Sequence, residues 1–297
     1  MSQIGLHTAT GTRLPILFNG YTLNNPADTQ YPAASDCQID TVAGSTSFDY
    51  VSEVNQQRDG LEFYWPRRIS RVETMRGVLR APSDAELHDK IGALVEAMDP
   101  VQIAHDNDPG HDDPRNVFLP LDFSTPTADI TNYPTGLVPS RYYALPIKLP
   151  DPIIDRTTGF AALFDISFLI RDPRRYAQAL TTVQGSVTSD NSLAGVCCTP
   201  TLTVTMSSAG NAAFTVANTT VKDGAKSLVL DLSGCVNHDV VVVDFDRRSI
   251  TKNGASFMSA YVSGSYWHID PASNVIAFTN TGGTSNRVLT YRPAWSF

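Results

Sequence analysis

Thr201-Leu202-Thr203-Val204-Thr205-Met206 is the stretch that decides the fold class, because polar and apolar side chains alternate along it without a break. Successive side chains of a strand point to opposite faces, so this period of two predicts a strand with one buried face. Similar short runs recur after it, separated by turn residues such as Asn253-Gly254 and Gly282-Gly283. Short strands with no helix signal predict a β-sandwich. The predicted strands lie around residues 201–206, 213–217, 227–232, 239–245, 257–262, 265–269, 274–279 and 287–292.

The first half of the chain also carries strand signals. Asn19-Gly20 lies between two short apolar runs and predicts a hairpin, because both residues accept the positive φ that the turn requires. Gly77 is predicted to mark a bulge in a strand whose spacing also fits a helix. Strands are predicted over residues 61–65, 67–79 and 161–170, the last of them central because it is almost entirely apolar.

One amphipathic helix is predicted over residues 84–98. Ser83 with Glu86 three residues later has the spacing of a capping box, and Asp99-Pro100 is expected to end the helix. The face predicted to be buried consists of Leu87, Ile91, Leu94, Val95 and Met98.

Residues 105–143 are dominated by Pro, Asp, Asn and Gly and show no clear periodicity. A segment of this composition buries little apolar area alone, so its own contacts cannot offset the cost of ordering it. We therefore predict an extended arm that contacts a neighbouring subunit or another protein through apolar anchors. These anchors are Val117, Phe118, Leu119, Leu121, Phe123 and Leu137.

These patterns predict a mainly β protein of two domains. The first is an α+β N-terminal domain over residues 1–180, with a β-sandwich or sheet, the one helix and the arm. The second is a C-terminal β-sandwich over residues 181–297. A length of 297 residues is sufficient for two separate cores.

Composition excludes several classes of protein. Charged residues are 18% and hydrophobic residues 42% of the chain, which is typical of a globular protein. A net charge of −8 argues against a protein that binds nucleic acid by neutralising phosphates, although not against a channel through which DNA passes. The N-terminus has no signal-peptide pattern and no apolar run is long enough to span a bilayer, so we expect a soluble protein made in a cytoplasm, with no membrane partner.

Neither the cysteines nor the acidic loop predicts a metal site. Cys37, Cys197, Cys198 and Cys235 are irregularly spaced and are predicted to be reduced, buried thiols. The other candidate ligands for a metal are Asp106, Asp108, Gly110 and Asp112 with His105 and His111. Their order departs from the calcium-binding loop, and no bidentate Glu follows, so a solvated loop is preferred and no metal or cofactor is predicted.

Two further groups have a possible chemical role. Asp244 and Asp246 would lie on one face of a strand, as paired carboxylates do in some glycosidases, but a charge cluster at the end of a strand is the preferred interpretation. The C-terminal aromatic residues would suit stacking on sugar rings, but packing between two sheets is preferred for most of them. These residues are Tyr261, Tyr266, Trp267 and Trp295. No catalytic residue is predicted.

Several short motifs together resemble the distal tail proteins of long-tailed siphophages. In the first half they are Phe18-Asn19-Gly20-Tyr21, the basic strand through Gly77 into the helix, and the strand at 161–170 that ends in Asp172-Pro173-Arg174-Arg175-Tyr176. In the second half they are Gly210-Asn211 ahead of Phe214 and Val216, residues 239–248 followed by Asn253-Gly254, and Tyr266-Trp267-His268-Ile269-Asp270-Pro271 leading to Asn274. The arm is longer than the family pattern, and Pro271-Ala272-Ser273 stands where a glycine is expected.

The resemblance implies a structural virion protein and no enzyme. Its N-terminal belt domain would close a homo-hexameric ring at the distal end of the tail tube, around a lumen wide enough for DNA as cargo. Its galectin-like C-terminal domain would dock receptor-binding or side-fibre proteins. The ring would join the tail tube protein to the hub or tip protein, in a virion assembled in the host cytoplasm.

Two other classes remain open. A carbohydrate-binding module would expose coplanar aromatic side chains on the C-terminal sandwich. A glycan-cleaving tail enzyme would need a cleft that holds Asp244 and Asp246.

Overall fold

The structure is a computed structural model that describes residues 4–8, 13–24, 37–49, 52–54, 61–63, 67–108, 115–127, 129–148, 150–155, 160–172, 174–185, 187–190, 196–210, 213–219, 224–271, 273–280 and 285–295. The chain divides into two compact units, Met1–Arg175 and Tyr176–Ser296. None of the helices described is both long and apolar enough to cross a membrane.

The first unit is mainly β, as predicted, and its described residues include two helices. Its strands are β1 Leu17–Phe18, β2 Tyr21–Thr22, β3 Cys37–Asp49, β4 Ser52–Val54, β5 Leu61–Phe63, β6 Arg67–Ala81, β7 Leu119–Pro126, β8 Leu137–Lys148, β9 Ile153–Asp155 and β10 Phe160–Ile170, and its helices are α1 Asp84–Ala97 and α2 Pro100–Asn107. β11 Arg175–Ala177 follows at the boundary with the second unit.

One large antiparallel sheet organises this unit, in the strand order β2-β1-β7-β8-β10-β6-β3, with β9 also paired to β10. β10 is central, as its apolar sequence predicts, because it pairs with β6 over its whole length and with β8 and β9 on its other side. Alternate side chains of β10, from Ala162 to Ile170, are buried in the core. The helices add Leu87, Leu94, Met98 and Ile103 to the same core.

The predicted hairpin at Asn19-Gly20 is confirmed. Asn19 has φ 46° and Gly20 φ 76°, and this pair of positive values links β1 to β2 in a two-residue turn. The predicted helix is confirmed as well: it begins at Asp84, and the Ser83 hydroxyl accepts a hydrogen bond from the backbone N–H of Glu86. Leu87, Leu94 and Met98 are fully buried, which is the face that the periodicity indicated.

The prediction of a single helix was wrong. α1 ends before Asp99-Pro100 as expected, but α2 begins there at once, with Pro100 in its first turn. Asp99 caps α2, since its carboxylate accepts from the backbone N–H groups of Val101 and Gln102. A proline cannot continue a helix but fits the first position of a new one, where no intrahelical donor is needed.

The predicted arm at residues 105–143 is also wrong. Residues 105–107 end α2, and residues 119–126 and 137–143 lie in β7 and β8, which pair with each other and with their neighbours in the sheet. Leu121 and Phe123, predicted as anchors for a partner, are buried in this unit's own core beside Tyr142. Pro120 and Pro126 lie at positions of β7 that are not buried, while Leu121 and Phe123 between them point into the core. Residues 109–114 lie outside the described part of the chain.

The second unit contains β11 from Tyr176 onward and twelve further strands among its described residues. They are β12 Thr181–Gln184, β13 Val187–Asp190, β14 Thr201–Met206, β15 Phe214–Asn218, β16 Lys226–Leu230, β17 Val240–Asp244, β18 Ser249–Lys252, β19 Ala255–Ser256, β20 Tyr261–Gly264, β21 Ser273–Asn280, β22 Ser285–Tyr291 and β23 Ala294–Trp295, with a 3-10 turn at Met258–Ala260.

Two antiparallel sheets form the predicted sandwich. One has the strand order β12-β22-β14-β17-β18-β19, and the other has the order β13-β21-β15-β16-β20. Leu202, Val204 and Val243 from the first sheet share one buried cluster with Phe214 and Leu228 from the second. The alternation in residues 201–206 is confirmed, because the apolar side chain of each pair is the buried one.

The predicted strand at 265–269 is replaced by an irregular segment. Among the described residues it makes one isolated antiparallel bridge, in which Cys198 and Ile269 exchange both backbone hydrogen bonds. The second predicted glycine turn, Gly282-Gly283, lies outside the described residues. Asn253-Gly254 forms the β18–β19 turn, with φ 51° and 84°.

Candidate functional site

The described residues of the predicted acidic loop, 105–108, form the last turn of α2 and its C-terminal end. Both carboxylate oxygens of Asp106 accept from the side-chain amide of Gln102, at 2.8 and 2.9 Å, and His105 lies 3.1 Å from the same group. The hydrogen bond from Gln102, followed by that from His105, lowers the pKa of Asp106. Asp108 is buried at the end of the helix. The other candidate ligands, Gly110, His111 and Asp112, lie outside the described residues.

The Asp244–Asp246 pair forms a turn and not a carboxylate pair on a strand. β17 ends at Asp244, whose carboxylate accepts from the backbone N–H groups of Asp246 and Arg247, at 2.9 Å each. A side chain that caps its own turn in this way is a common structural use of aspartate. Asp246 follows in the turn and is exposed, so the two residues do not share a strand face. The preferred interpretation as a strand-end cluster agrees with this geometry.

The C-terminal aromatic residues divide into buried and exposed members. Trp267 is buried and packs on Phe245, with ring centroids 4.7 Å apart. Tyr261 is 40% exposed and lies parallel to the ring of Tyr266, with centroids 6.3 Å apart and planes 11° apart. Burial raises the pKa of Tyr266, and the nearby Tyr261 adds to the effect. Trp295 is partly exposed in β23. Among the four C-terminal aromatic residues, Tyr261 and Tyr266 thus present stacked rings with an exposed member.

The structure also brings together three residues that the sequence did not link: Cys197, His268 and Asp270. The Sγ atom of Cys197 donates a hydrogen bond of 3.2 Å to Oδ1 of Asp270. Nε2 of His268 lies 3.4 Å from the same oxygen. One ligand atom from each residue lies within 4.8 Å of the other two.

The bridge between Cys198 and Ile269 explains this arrangement. Side chains alternate along both extended segments, so Cys198 and Ile269 point into the core and are 1% and 0% exposed. The residue before Cys198 and the residue after Ile269 therefore face each other on the outer side, and these are Cys197 and Asp270. His268 is two residues from Asp270 and shares that side. The signal in the sequence was the alternation of Trp267, Ile269 and their neighbours, combined with the adjacent cysteines.

Comparison with known proteins identifies a relative for the second unit. Residues 195–295 match a family described as the siphovirus-type tail component, C-terminal domain. Among curated proteins, none is similar enough to match the chain.

Solved structures of phage proteins resemble this fold over most of the chain. The structure of SPP1 Dit (gp 19.1), described as a paradigm of the hub adsorption apparatus in phages that infect Gram-positive bacteria, has a TM-score of 0.58 at 14% identity, and the match covers 95% of this chain and 99% of that chain. Two structures of the phage p2 baseplate in its activated conformation also match. The one with Sr has a TM-score of 0.47 at 8% identity and covers 85% of this chain and 89% of that chain. The one with Ca has a TM-score of 0.46 at 9% identity and covers 84% and 90%.

Proposed function

We propose that this chain is a structural protein of the tail tip of a bacteriophage, because residues 195–295 match the C-terminal domain of the siphovirus-type tail component family. The family match confirms the resemblance to siphophage distal tail proteins that the sequence indicated. It is also the observation that carries the proposal, because it covers most of the second unit. The fold shared with SPP1 Dit over both units supports it.

In this proposal the protein assembles as a ring of six chains at the distal end of the tail tube. The first unit acts as the belt that closes the ring around a lumen through which DNA passes. The second unit is a galectin-like sandwich that docks receptor-binding or side-fibre proteins. The ring connects the tail tube protein to the hub or tip protein, in a virion assembled in the host cytoplasm.

Exposed apolar side chains on the first unit support contact between copies. Leu163 on β10 and Ile153 on β9 are directly opposite each other in the sheet, and they are 52% and 71% exposed. Phe160, at the start of β10, is 40% exposed. Neighbouring apolar side chains that remain in contact with water on a monomer are typical of surfaces that another protein covers.

Native mass spectrometry at micromolar concentration, with electron microscopy of the same sample, tests the assembly. The intact chain should form hexameric rings. The variant Leu163→Glu should weaken or abolish them, because a charge placed in a buried contact loses its hydration. Val236→Glu, at a site in the second unit that is 63% exposed, is the matched control and should leave the rings intact.

A chain that stays monomeric, alone and with its tail partners, would overturn the ring. Rings that persist in Leu163→Glu would agree with the hexamer but would exclude the surface around Leu163 as the contact between copies.

A second candidate function is carbohydrate binding by the C-terminal sandwich, which the stacked pair Tyr261–Tyr266 favours. An exposed aromatic ring next to a second, parallel ring offers an apolar surface for a sugar. Tyr261→Ala should then reduce binding to host-surface polysaccharide. Unchanged binding, or no binding by the intact chain, would exclude this site.

We propose no enzymatic activity. The carboxylate of Asp244 is already used by two backbone N–H groups of its own turn, which leaves it poorly placed as a nucleophile or base. Cleavage of host-surface glycan by the intact chain that Asp244→Asn abolishes would contradict this.

A further inference from the structure

We propose that Cys197, His268 and Asp270 bind a divalent transition metal ion of the zinc type. The three side chains lie on the outer side of the second unit, at the bridge between Cys198 and Ile269. The site is independent of ring assembly, since all its residues belong to one unit of one chain.

Two of the three distances between the ligand atoms are close to those of a metal site, and in the third pair Cys197 and His268 have their ligand atoms within 4.8 Å of each other. Zn²⁺ binds thiolate at about 2.3 Å and imidazole or carboxylate at about 2.0–2.2 Å, so the edges of a tetrahedral site measure about 3.3–3.6 Å. Nε2 of His268 and Oδ1 of Asp270 are 3.4 Å apart. Sγ of Cys197 and the same oxygen are 3.2 Å apart, the length of the hydrogen bond that joins them. Loss of the thiol proton and a shift of a few tenths of an ångström convert this contact into an edge of the site.

The chemistry of the three groups matches a borderline divalent ion. A thiolate and a carboxylate supply two negative charges that balance the charge of the ion, and a neutral imidazole supplies the nitrogen ligand. A thiolate disfavours Ca²⁺ and Mg²⁺, which require oxygen ligands. Three protein ligands leave a fourth tetrahedral position for water. The side chain of His268 is 44% exposed, which gives the ion a route to the site, whereas that of Asp270 is only 10% exposed.

A buried amide network holds the ligands in position. Asn274 is fully buried, and its side chain donates to the backbone carbonyl of Asp270 and accepts from the backbone N–H of the same residue. Asn218, also fully buried, donates to Asn274 at 2.9 Å and to the backbone carbonyl of His268 at 3.5 Å. These two amides fix the segment that carries both ligands, as the outer-shell partners of a metal site do.

A catalytic cysteine does not fit the same geometry. A nucleophilic cysteine needs an imidazole next to its sulfur, with a carboxylate behind the imidazole. Here the carboxylate of Asp270 lies between Cys197 and His268 and is hydrogen-bonded to the thiol. A neighbouring negative charge opposes formation of a free thiolate, whereas a bound metal ion stabilises it.

Titration of the purified, metal-free chain with Zn²⁺ against a chromophoric chelator tests the proposal. The intact chain should bind one equivalent at micromolar zinc. Cys197→Ser and His268→Gln should each weaken binding at least about tenfold. His105→Gln is the matched control, because it also removes a histidine that lies 3.1 Å from a carboxylate. His105 is not part of the cluster of Cys197, His268 and Asp270. The variant should therefore bind zinc as the intact chain does.

Two further measurements identify the ligands. Co²⁺ in place of Zn²⁺ should give a thiolate-to-metal charge-transfer absorption that disappears in Cys197→Ser. Zn²⁺ should raise the Tm of the intact chain, because it binds only the folded state, and it should not raise the Tm of His268→Gln.

His268→Gln is expected to fold like the intact chain, because the side chain of His268 is 44% exposed. No zinc binding by the intact chain at micromolar concentration overturns the proposal. Binding that is unchanged in His268→Gln overturns it equally.

Discussion

Buried asparagine side chains hold irregular segments of this protein in place. Asn24 is fully buried, donates to the backbone carbonyls of Leu6 and Leu14, and accepts from the backbone N–H of Ile39. A buried backbone group without a partner is costly, so one amide that satisfies three such groups ties together segments that no regular strand pairing connects. Asn218 and Asn274 have the same use in the second unit.

Gly77 is a residue where only a hydrogen side chain fits. Its strand lies opposite a register shift between Ile39 and Thr41 in β3, so the predicted bulge exists but is in the partner strand. A Cβ atom at Gly77 would lie 2.0 Å from the backbone oxygen of Gln38.

Gly77→Ala should therefore destabilise the first unit by about 2 kcal/mol or more, because backbone atoms have to move apart. Gly92→Ala is the control: Gly92 is exposed within α1, no atom lies within 4 Å of the added methyl group, and a gain of about 1 kcal/mol is expected from helix propensity. Urea unfolding of both variants measures the difference. Equal stability of the two variants would contradict the close approach.

Asp239 should make the second unit more stable at neutral pH than in acid. The backbone N–H of Val236, followed by the side chain of Asn253, lowers the pKa of Asp239 by hydrogen bonding to the carboxylate. Because the pKa is lowered in the folded state, this stabilisation is complete above the unfolded value, about 3.9, and is lost as the pH falls through the folded-state pKa.

Thermal melting of the intact chain and of Asp239→Asn, from about pH 2 to about pH 7, checks the effect, because this range includes both the charged and the protonated carboxyl group. The variant should melt below the intact chain at neutral pH, and the gap should narrow below about pH 4. Asp151→Asn, at an exposed position, is the control and should shift the Tm little at any pH. A gap that stays constant with pH would show that the charge of Asp239 is not the cause.

At the scale of elements, β7 and β8 show how a polar, proline-containing segment becomes part of a core. Each of the eight residues of β7 pairs with a residue of β8, and β8 continues into pairing with the central strand β10. On the outer face, Arg141 forms a bidentate ion pair with Asp122 across the two strands, at 2.5 and 2.6 Å. Pairing between neighbouring strands and ion pairs across them therefore stabilise a segment that has few apolar residues.

Phe123→Ala should cost about 3–5 kcal/mol, because it empties a site in which the ring is 1% exposed and packs on Tyr142. Ile130→Ala, within the β7–β8 connection and 68% exposed, should change stability by no more than about 0.5 kcal/mol. Denaturant unfolding gives both values. A small cost for Phe123→Ala would restore the interpretation of this segment as an arm outside the core.

At the scale of the whole molecule, each unit has its own buried cluster. The cluster of the second unit extends from Val183 to Ala294, with Tyr176 packed against it. Ala177, the next residue, is hydrogen-bonded to the C-terminal end of the unit. Its N–H donates to the carbonyl of Pro293 at 2.8 Å, and Arg292 donates to the carbonyl of Ala177 at 3.2 Å.

A fragment of residues 176–297 should therefore fold alone and be more stable than a fragment of residues 181–297, which begins at the boundary that the sequence predicted. The shorter fragment loses these two hydrogen bonds and the packing of Tyr176, at a cost of about 2 kcal/mol. Circular dichroism and thermal melting compare the two fragments. Identical melting curves would place the start of the second domain at or after residue 181.

Local patterns in the sequence were enough to predict a mainly β protein, the hairpin at Asn19-Gly20, helix α1 with its cap at Ser83, and most of the longer strands of the sandwich. Each of these features depends on residues within a few positions of one another. The spacing of apolar side chains and the tolerance of Asn and Gly for positive φ are therefore sufficient to predict them. The family resemblance came from the order of the same short motifs.

Only the tertiary structure decided which segments pair over long distances. Local composition predicts an arm where β7 and β8 lie, because the stability of these strands comes from strands far away in the sequence. Gly77 is constrained by Gln38, and Cys197 contacts Asp270 at a sequence separation of 73 residues. Contacts of this kind depend on strand register, and register follows from the burial of every strand in the sheet together.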